Sequence, residues 1–310
     1  MPRKVLITGA NGLLGQQLVK VFQGDYEVHA LDLEPRAFVP GAIVSGERSH
    51  APEKFTYHQG DITDRKRLRA LVQALVPNFI INAAAFTDVD GSETRRELCW
   101  KVNVTGVENL AYAAQKIDAR LIHISTDYVF DGKAGPYREH DRPNPLGFYG
   151  RSKLASENVL VSSNVNYAIA RTMVLYGTGY EIRSNFVTWL LGRLRAGETV
   201  QIVDDQFGNP TLASELAGAL RILAESGRND IYHISGREVI DRYHFAIKVA
   251  EVFDLDPKLI QPVKTCELKQ AAPRPLKSGF DISKAERELG ITMSDVIGGL
   301  QKFKVELSAI

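Results

Sequence analysis

Cysteine is nearly absent from this chain: Cys99 and Cys266 are its two cysteines in 310 residues. Two thiols so far apart form neither a disulfide framework nor, by themselves, a zinc cluster. Each is expected as a small buried apolar group, and no metal-ligand pattern is read. Long apolar runs are missing too, none approaching the ~18 residues of a membrane helix. The opening Met-Pro-Arg-Lys leads into a short run punctuated by Gly9, Gly12 and Gly15, not the longer stretch of a secretory signal. A cytoplasmic location is expected, with the Asn103-Val104-Thr105 sequon silent. Excess charge of one sign is lacking as well. Thirty-eight Lys+Arg against 37 Asp+Glu leave a formal charge of +1, so neither nucleic acid nor a membrane surface is expected as a partner. Ordinary glycine and proline counts exclude disorder and collagen as global descriptions, and the length suffices for a packed core.

What is present is alternation. Strand-length apolar runs occur at Lys4–Thr8, Glu27–Leu31, Phe55–Gln59, Phe79–Asn82, Leu121–Ser125 and Tyr167–Thr172. Helical spacing falls between them at Leu13–Phe22, Arg65–Leu75 (behind the cap Asp64), Glu97–Lys116 and Tyr149–Leu160. The pattern predicts an α/β fold, a Rossmann-type doubly wound parallel sheet covered on both faces. The second half is less regular, with helices expected at Asn185–Ala196, Leu212–Glu225, Tyr243–Phe253 and Asp295–Glu306 and a short strand at Ile231–Ile234. It is read as a smaller, mixed α/β substrate-binding region. The expected division is a dinucleotide domain over 1–176, with 212–235 returning to it, and a mainly substrate-binding region over 177–310. Residues Glu34–Lys54 have no clear period and are expected as a surface insertion.

Gly9-Ala10-Asn11-Gly12-Leu13-Leu14-Gly15 lies between the first strand and the first helix. Glycine there allows a tight turn and close backbone approach, and free amides at a helix N-terminus favour a pyrophosphate. Gly15 allows the helix to pack close to the sheet. Dinucleotide binding is the reading, and a bare turn is the alternative. Asp32, roughly 20 residues on, suits the adenosine ribose hydroxyls of NADH. Arg36 suits the 2′-phosphate of NADPH, or is a solvated loop charge. Asp61-Ile62 could meet the adenine, with Asp61 otherwise capping a turn. Ala83-Ala84-Ala85 leaves room for the cofactor's backbone.

The chemical signal is Tyr149-Gly150-Arg151-Ser152-Lys153. Positions i and i+4 share a helix face, so phenol and ammonium point into one site. A phenol ordinarily titrates near ~10; the ammonium and a nicotinamide's positive charge are expected to draw it towards neutrality. Thr126, at the end of the fifth strand, suits a hydrogen bond to the same carbonyl oxygen, or otherwise caps a turn. Asn103 is expected to brace the site. Together these residues read as a carbonyl-reduction apparatus.

Several further segments carry a resemblance: Ile81–Asp90 with Glu93, Ser125–Gly132 (STDYVFDG), Pro145-Leu146 ahead of Tyr149–Leu154, Asp205–Thr211 (DQFGNPT) and Arg274-Pro275. With them the chain resembles the extended short-chain dehydrogenase/reductases, and within these the dTDP-4-dehydrorhamnose reductase family. The resemblance implies reduction of the C4 ketone of dTDP-6-deoxy-L-lyxo-4-hexulose to dTDP-L-rhamnose by NADH or NADPH. It implies a catalytic set of Thr126, Tyr149 and Lys153. Asn11, Gly12, Leu13, Leu14, Asp32, Asp61, Ile62 and Ala83–Ala85 become cofactor contacts, while Val89, Asp90, Thr126 and Asp127 approach the sugar. Gln206 and Arg274 fall on the substrate's nucleotide or pyrophosphate side, and each of Asp90, Gln206 and Arg274 otherwise braces a loop. Two features depart from the family: Val174 stands where a tryptophan is common, and Glu34–Lys54 is long. The chain is also similar to the regulatory β subunit of methionine adenosyltransferase, through Asp127–Gly132 and Pro136-Tyr137-Arg138-Glu139. That leaves a regulatory subunit, or a nucleotide-sugar epimerase, as alternatives, and a homodimer open.

Overall fold

The structure, a computed structural model, describes residues 2–35 and 55–309. Arg36 and nearly all of the expected insertion at 34–54 lie outside the described residues. Seven parallel strands form the main sheet: β1 (Lys4–Thr8), β2 (Glu27–Asp32), β3 (Phe55–Gln59), β4 (Phe79–Asn82), β5 (Arg120–Thr126), β6 (Tyr167–Thr172) and β7 (Ile231–His233). Their order is β7-β6-β5-β4-β1-β2-β3. This is the Rossmann-type sheet expected from the alternation. The chain winds outward from β1 in one direction and from β4 in the other, which opens a crevice at the carboxyl ends of these two neighbours.

Both faces are covered, which is why β1 and β4 read as continuous apolar runs. Val5, Ile7, Val28, Ala30, Ile122 and Ala168 face one core, closed by α1 (Leu13–Phe22) and by a later helix, Ala213–Glu225. Leu6, Leu31, Ile80, Leu121 and Ile169 face the other. There they meet α2 (Arg65–Leu75), a long α3 (residues 96–116) and α4 (Phe148–Val161). Asp64 caps α2 as expected, accepting from the Arg67 amide at 3.0 Å. The α3 helix, residues 96–116, is interrupted by a π-helical turn at Lys101–Thr105, a feature often found at functional sites.

A third core lies beyond β6. Here α5 (Phe186–Arg195), α7 (Arg242–Val252) and a last helix, Val296–Ser308, surround Tyr176, Leu190, Phe245 and Phe303, while α6 (Ala213–Glu225) is the helix that closes the first core. A parallel pair, Val200–Val203 with Ile260–Val263, flanks it. The cysteine expectation is half right. Cys99 is buried, but Cys266 is exposed because it sits on a surface turn, Thr265–Glu267. Among the described residues no helix is long and apolar enough to cross a membrane.

Candidate active site

The glycine loop leaves β1 in a left-handed turn. Gly9 has φ +71°, and a Cβ there would stand 2.6 Å from the Ala84 nitrogen and 2.7 Å from Ala83. The first loop and the loop after β4 therefore approach backbone to backbone, and Ala83, Ala84 and Ala85 are half-buried against the loop. At Gly15 a Cβ would collide with Gly9 and Ala10, so α1 packs close to the sheet. Gly12 caps α1 with no side-chain hydrogen bond, and no acidic residue occupies its first turn. Its positive end is left open towards the crevice, a cradle that suits a phosphate. Leu13 is half-buried beside that opening, whereas the Leu14 side chain is core.

Asp32 ends β2 and accepts from the Asn11 amide at 2.9 Å and the Glu34 amide at 3.3 Å. Asn11 in turn donates to the Pro35 carbonyl and the Tyr57 hydroxyl, so the two residues build one wall. Asp61 accepts from the Thr63 amide at 2.8 Å, the turn-capping role. Ile62 is buried in the second core, and its carbonyl accepts from Asn109. At the carboxyl edge of β6, beside Thr126, the buried Thr172 hydroxyl has no partner among the described residues. A buried hydroxyl left open there fits a polar ligand in the crevice.

The catalytic candidates converge on β5 and α4. Thr126 ends β5, where its hydroxyl caps the turn Asp127–Val129 by accepting from the Tyr128 amide at 3.3 Å and lies 3.1 Å from Asp127 Oδ1. It also acts on the Tyr149 phenol, lowering its value; of the two roles considered for Thr126, the turn cap is the one present. Tyr149 is buried against Tyr128, ring centroids 5.5 Å apart at 78°. Asp127 is buried and accepts from Ser278 at 2.6 Å. Burial pushes the Asp127 carboxyl up, against the opposing hydrogen bonds from Ser278 and Thr126.

One expectation fails in the protein alone. Tyr149 is not drawn towards neutrality; burial, then the charge of Asp127 and the Tyr128 ring, push its phenol well above the ordinary value, and Thr126 offsets only part. The reason is where Lys153 points. Its Nζ donates to the Ile124 carbonyl at 2.7 Å and lies 3.3 Å from His123 Nε2. Burial lowers the ammonium to about 8, although Glu157 and Cys99 pull the other way. Tyr149 is thus a phenol that holds its proton until an acceptor arrives, and Lys153 is a weakly held ammonium.

Braces fix this helix. Glu93 accepts from the Phe148 amide at 2.7 Å, at the positive end of α4. Asn103, in the π-helical turn, grips both backbone groups of Phe86 and donates to Ser152 at 3.0 Å. Ser152 bonds back to the Tyr149 carbonyl.

Among the residues expected to meet the substrate, Asp90 accepts from Arg274 at 2.8 Å and from the Ala272 amide at 2.9 Å. Burial works against its charge, but these bonds hold the carboxyl below its usual range. Val89 is half-buried one residue earlier. Gln206 instead turns to Thr265, 3.0 Å away, and braces that loop. Val174 takes φ +48°, unusual for a β-branched residue, and lies between the first and third cores. The residue that sequence reasoning missed is Arg242, at the start of α7. Its guanidinium acts on Tyr128 and Asp127 and lies 5.5 Å from the Phe186 ring. A single arginine in an unremarkable helix pattern carries no signal that would have found it.

Comparison with known proteins follows the same lines. The family model of the RmlD substrate binding domain matches residues 3–308. A dTDP-4-dehydrorhamnose reductase of Aggregatibacter actinomycetemcomitans is 34% identical over 306 residues, 94% of this chain and 95% of the relative. The methionine adenosyltransferase 2 subunit beta of Xenopus tropicalis is also 34% identical, over 291 residues, 92% of this chain and 82% of the relative. Among solved structures, dTDP-4-dehydrorhamnose reductase from Bacillus anthracis in complex with NADP superposes with a TM-score of 0.86 at 32% identity. That match covers 99% of this chain and 100% of the other.

Proposed function

The chain belongs to the family of the RmlD substrate binding domain, and we propose that it is an NAD(P)H-dependent oxidoreductase that reduces the C4 ketone of a nucleotide-linked 6-deoxy-4-keto sugar. The favoured substrate is dTDP-4-dehydrorhamnose and the product dTDP-L-rhamnose. Sequence identity alone does not separate this reading from the methionine adenosyltransferase β subunit, since both relatives stand at 34%. The observation that carries it is the convergence of Thr126, Tyr149 and Lys153 at the carboxyl ends of the strands, an arrangement that a purely regulatory role does not require.

NADPH or NADH, when bound, supplies the hydride. The open N-terminus of α1 with Gly9, Asn11 and Gly12 suits its pyrophosphate, Asp32 its ribose, and Ala83–Ala85 its backbone. In the reaction Thr126 orients the substrate carbonyl, and Tyr149 gives its proton to the oxygen that becomes the C4 hydroxyl. A phenol pushed upward keeps that proton until negative charge develops on the oxygen, which is what a general acid needs. Lys153, four residues on along the same helix, would hold the nicotinamide ribose. Asp127, Val89 and Asp90 border the sugar, and Arg274 meets the diphosphate with its planar fork. Residues 1–176 with 212–235 hold the dinucleotide and 177–310 mainly the substrate, in the cytoplasm.

The test is oxidation of NADPH or NADH by the purified protein with the 4-keto sugar made from dTDP-glucose. One reduced nucleotide is consumed per ketone, and dTDP-L-rhamnose is recovered. An inert protein across a panel of nucleotide 4-keto sugars that captures a methionine adenosyltransferase would establish the regulatory reading instead. Tightly bound, recycled cofactor without net oxidation would establish an epimerase.

A further inference from the structure

Beneath the catalytic helix lies a buried chain of polar groups that the reaction as described does not use. Thr8 on β1 donates to Asn82 Oδ1 at 2.6 Å. Asn82 Nδ2 lies 3.1 Å from His123 Nδ1. The other ring nitrogen, Nε2, faces Ser156 Oγ at 2.9 Å and Lys153 Nζ at 3.3 Å. Ser156 donates to the Lys153 carbonyl at 2.6 Å. Thr8, His123 and Ser156 have no solvent exposure, so no water adjusts the pattern from outside.

The hydrogens in this chain run in one consistent direction. A hydroxyl carries one hydrogen, and Ser156 places its own on the Lys153 carbonyl. Towards His123 it can only accept, so Nε2 carries the ring hydrogen. Nδ1 is then the lone pair, which accepts from the Asn82 amide, and the Asn82 oxygen accepts from Thr8. Burial and the neighbouring Lys153 hold the imidazole well below its usual value, so the ring is neutral and has this one N–H. Lys153 Nζ therefore faces a donor. That single N–H is used on Ser156, so Nε2 offers Nζ no lone pair, and a hydrogen of an ammonium turned towards it finds no acceptor.

We infer that His123 is a positioning residue for Lys153: fixed as the Nε2–H tautomer by Asn82 and Ser156, it holds Nζ between the Ile124 carbonyl and a hydrogen-bond donor and favours the amine over the ammonium. The inference rests on the reduction proposed above, in which Lys153 stands on the same helix as Tyr149. The titratable and charged groups that act on Lys153 are Glu157 on α4 and Cys99 on α3, with His123 on β5 beside its Nζ. Glu157 is paired with Arg171 at 2.9 and 2.6 Å, so its pull on Lys153 is largely answered.

The experiment follows the Lys153 titration directly, by NMR of protein labelled with 15N at lysine Nζ and assigned with Lys153→Met. The wild-type resonance is expected to titrate at about 8. Ser156→Ala removes the acceptor that fixes the tautomer, so Nε2 can turn a lone pair towards Nζ. The titration then moves up by about one unit, a tenfold change in acid dissociation. Ser156→Thr keeps the hydroxyl on the i−3 carbonyl and follows the wild type. Thr8→Val releases the chain from its far end and shifts the titration the same way as Ser156→Ala. An unmoved titration in both Ser156→Ala and Thr8→Val overturns the inference. The readout needs no substrate: a protein without reductase turnover whose Lys153 shifts as stated refutes the reaction and leaves the role of His123 intact.

Discussion

Arg274 and Asp90 lie 184 positions apart in sequence and meet at 2.8 Å, tying the loop after β4 to a segment of the C-terminal region. The Ala272 amide adds a second bond to the same carboxylate. Nearly half of the Asp90 side chain is exposed while Arg274 is nearly buried, so the pair orients a guanidinium more than it stabilises the fold. Asp90→Ala should cost under about 1 kcal/mol in urea unfolding. The KM for the nucleotide sugar should rise about tenfold, the equivalent of ~1.4 kcal/mol of binding. An unchanged KM with a large stability loss would reverse the assignment.

Gly9 joins two loops at the floor of the nucleotide crevice. Its φ of +71° and its contact with Ala83 and Ala84 leave no space for a side chain. Gly9→Ala should lose about 1–2 kcal/mol from the left-handed backbone alone and more from the displaced loop. The check is NADPH affinity by fluorescence titration, which should fall well before the far-ultraviolet circular dichroism changes. Wild-type affinity would show that the two loops do not need this approach.

Glu157 and Arg171 form a pair of which each member is only 2% exposed. Ser125 donates to the same carboxylate, and the guanidinium lies over the Phe130 ring at 5.1 Å. Removing one partner leaves a buried charge uncompensated, which costs about 3–5 kcal/mol. Arg171→Met should lower the unfolding free energy by that amount. A loss under about 1 kcal/mol would mean that water reaches Glu157.

Two buried imidazoles set an acid limit on stability. Burial first, then the charges of Lys153 and Arg171 respectively, hold His123 and His233 well below the usual histidine value. The unfolded chain takes up protons near ~6.5 and the folded chain does not. Stability is therefore full above that value and is lost as the pH falls below it. The urea midpoint at pH 5.5 should lie below that at pH 7.5, and His233→Gln should flatten the difference. Equal midpoints in the wild type would show that neither ring is held neutral.

Much of this architecture was legible because long periodic segments are dictated locally. Lys4–Thr8, Phe55–Gln59, Phe79–Asn82, Arg65–Leu75 and Tyr167–Thr172 have the bounds that their patterns predict. The pair Val200–Val203 with Ile260–Val263 was not read, since Pro262 inside a four-residue run argues against a strand and is tolerated only at an edge. The helix Ser283–Leu289 is too short to show a period. In the site, the spacing of Tyr149 and Lys153 was visible, but the direction of Lys153 was not. That direction depends on Ile124 and His123, which β5 brings beneath α4. Arg242 and Ser278 were invisible for the same reason: each reaches Asp127 only through the folded chain.

The central claim is that Tyr149 gives the proton to a ketone held by Thr126, and one comparison tests it most directly. Wild-type protein and Tyr149→Phe are titrated with NADPH and then assayed for its oxidation with the 4-keto sugar made from dTDP-glucose. The account predicts equal NADPH affinity and a turnover reduced by about 10²–10⁴-fold in the variant, the span of a lost acid–base group. Turnover of Tyr149→Phe equal to that of the wild type would contradict it.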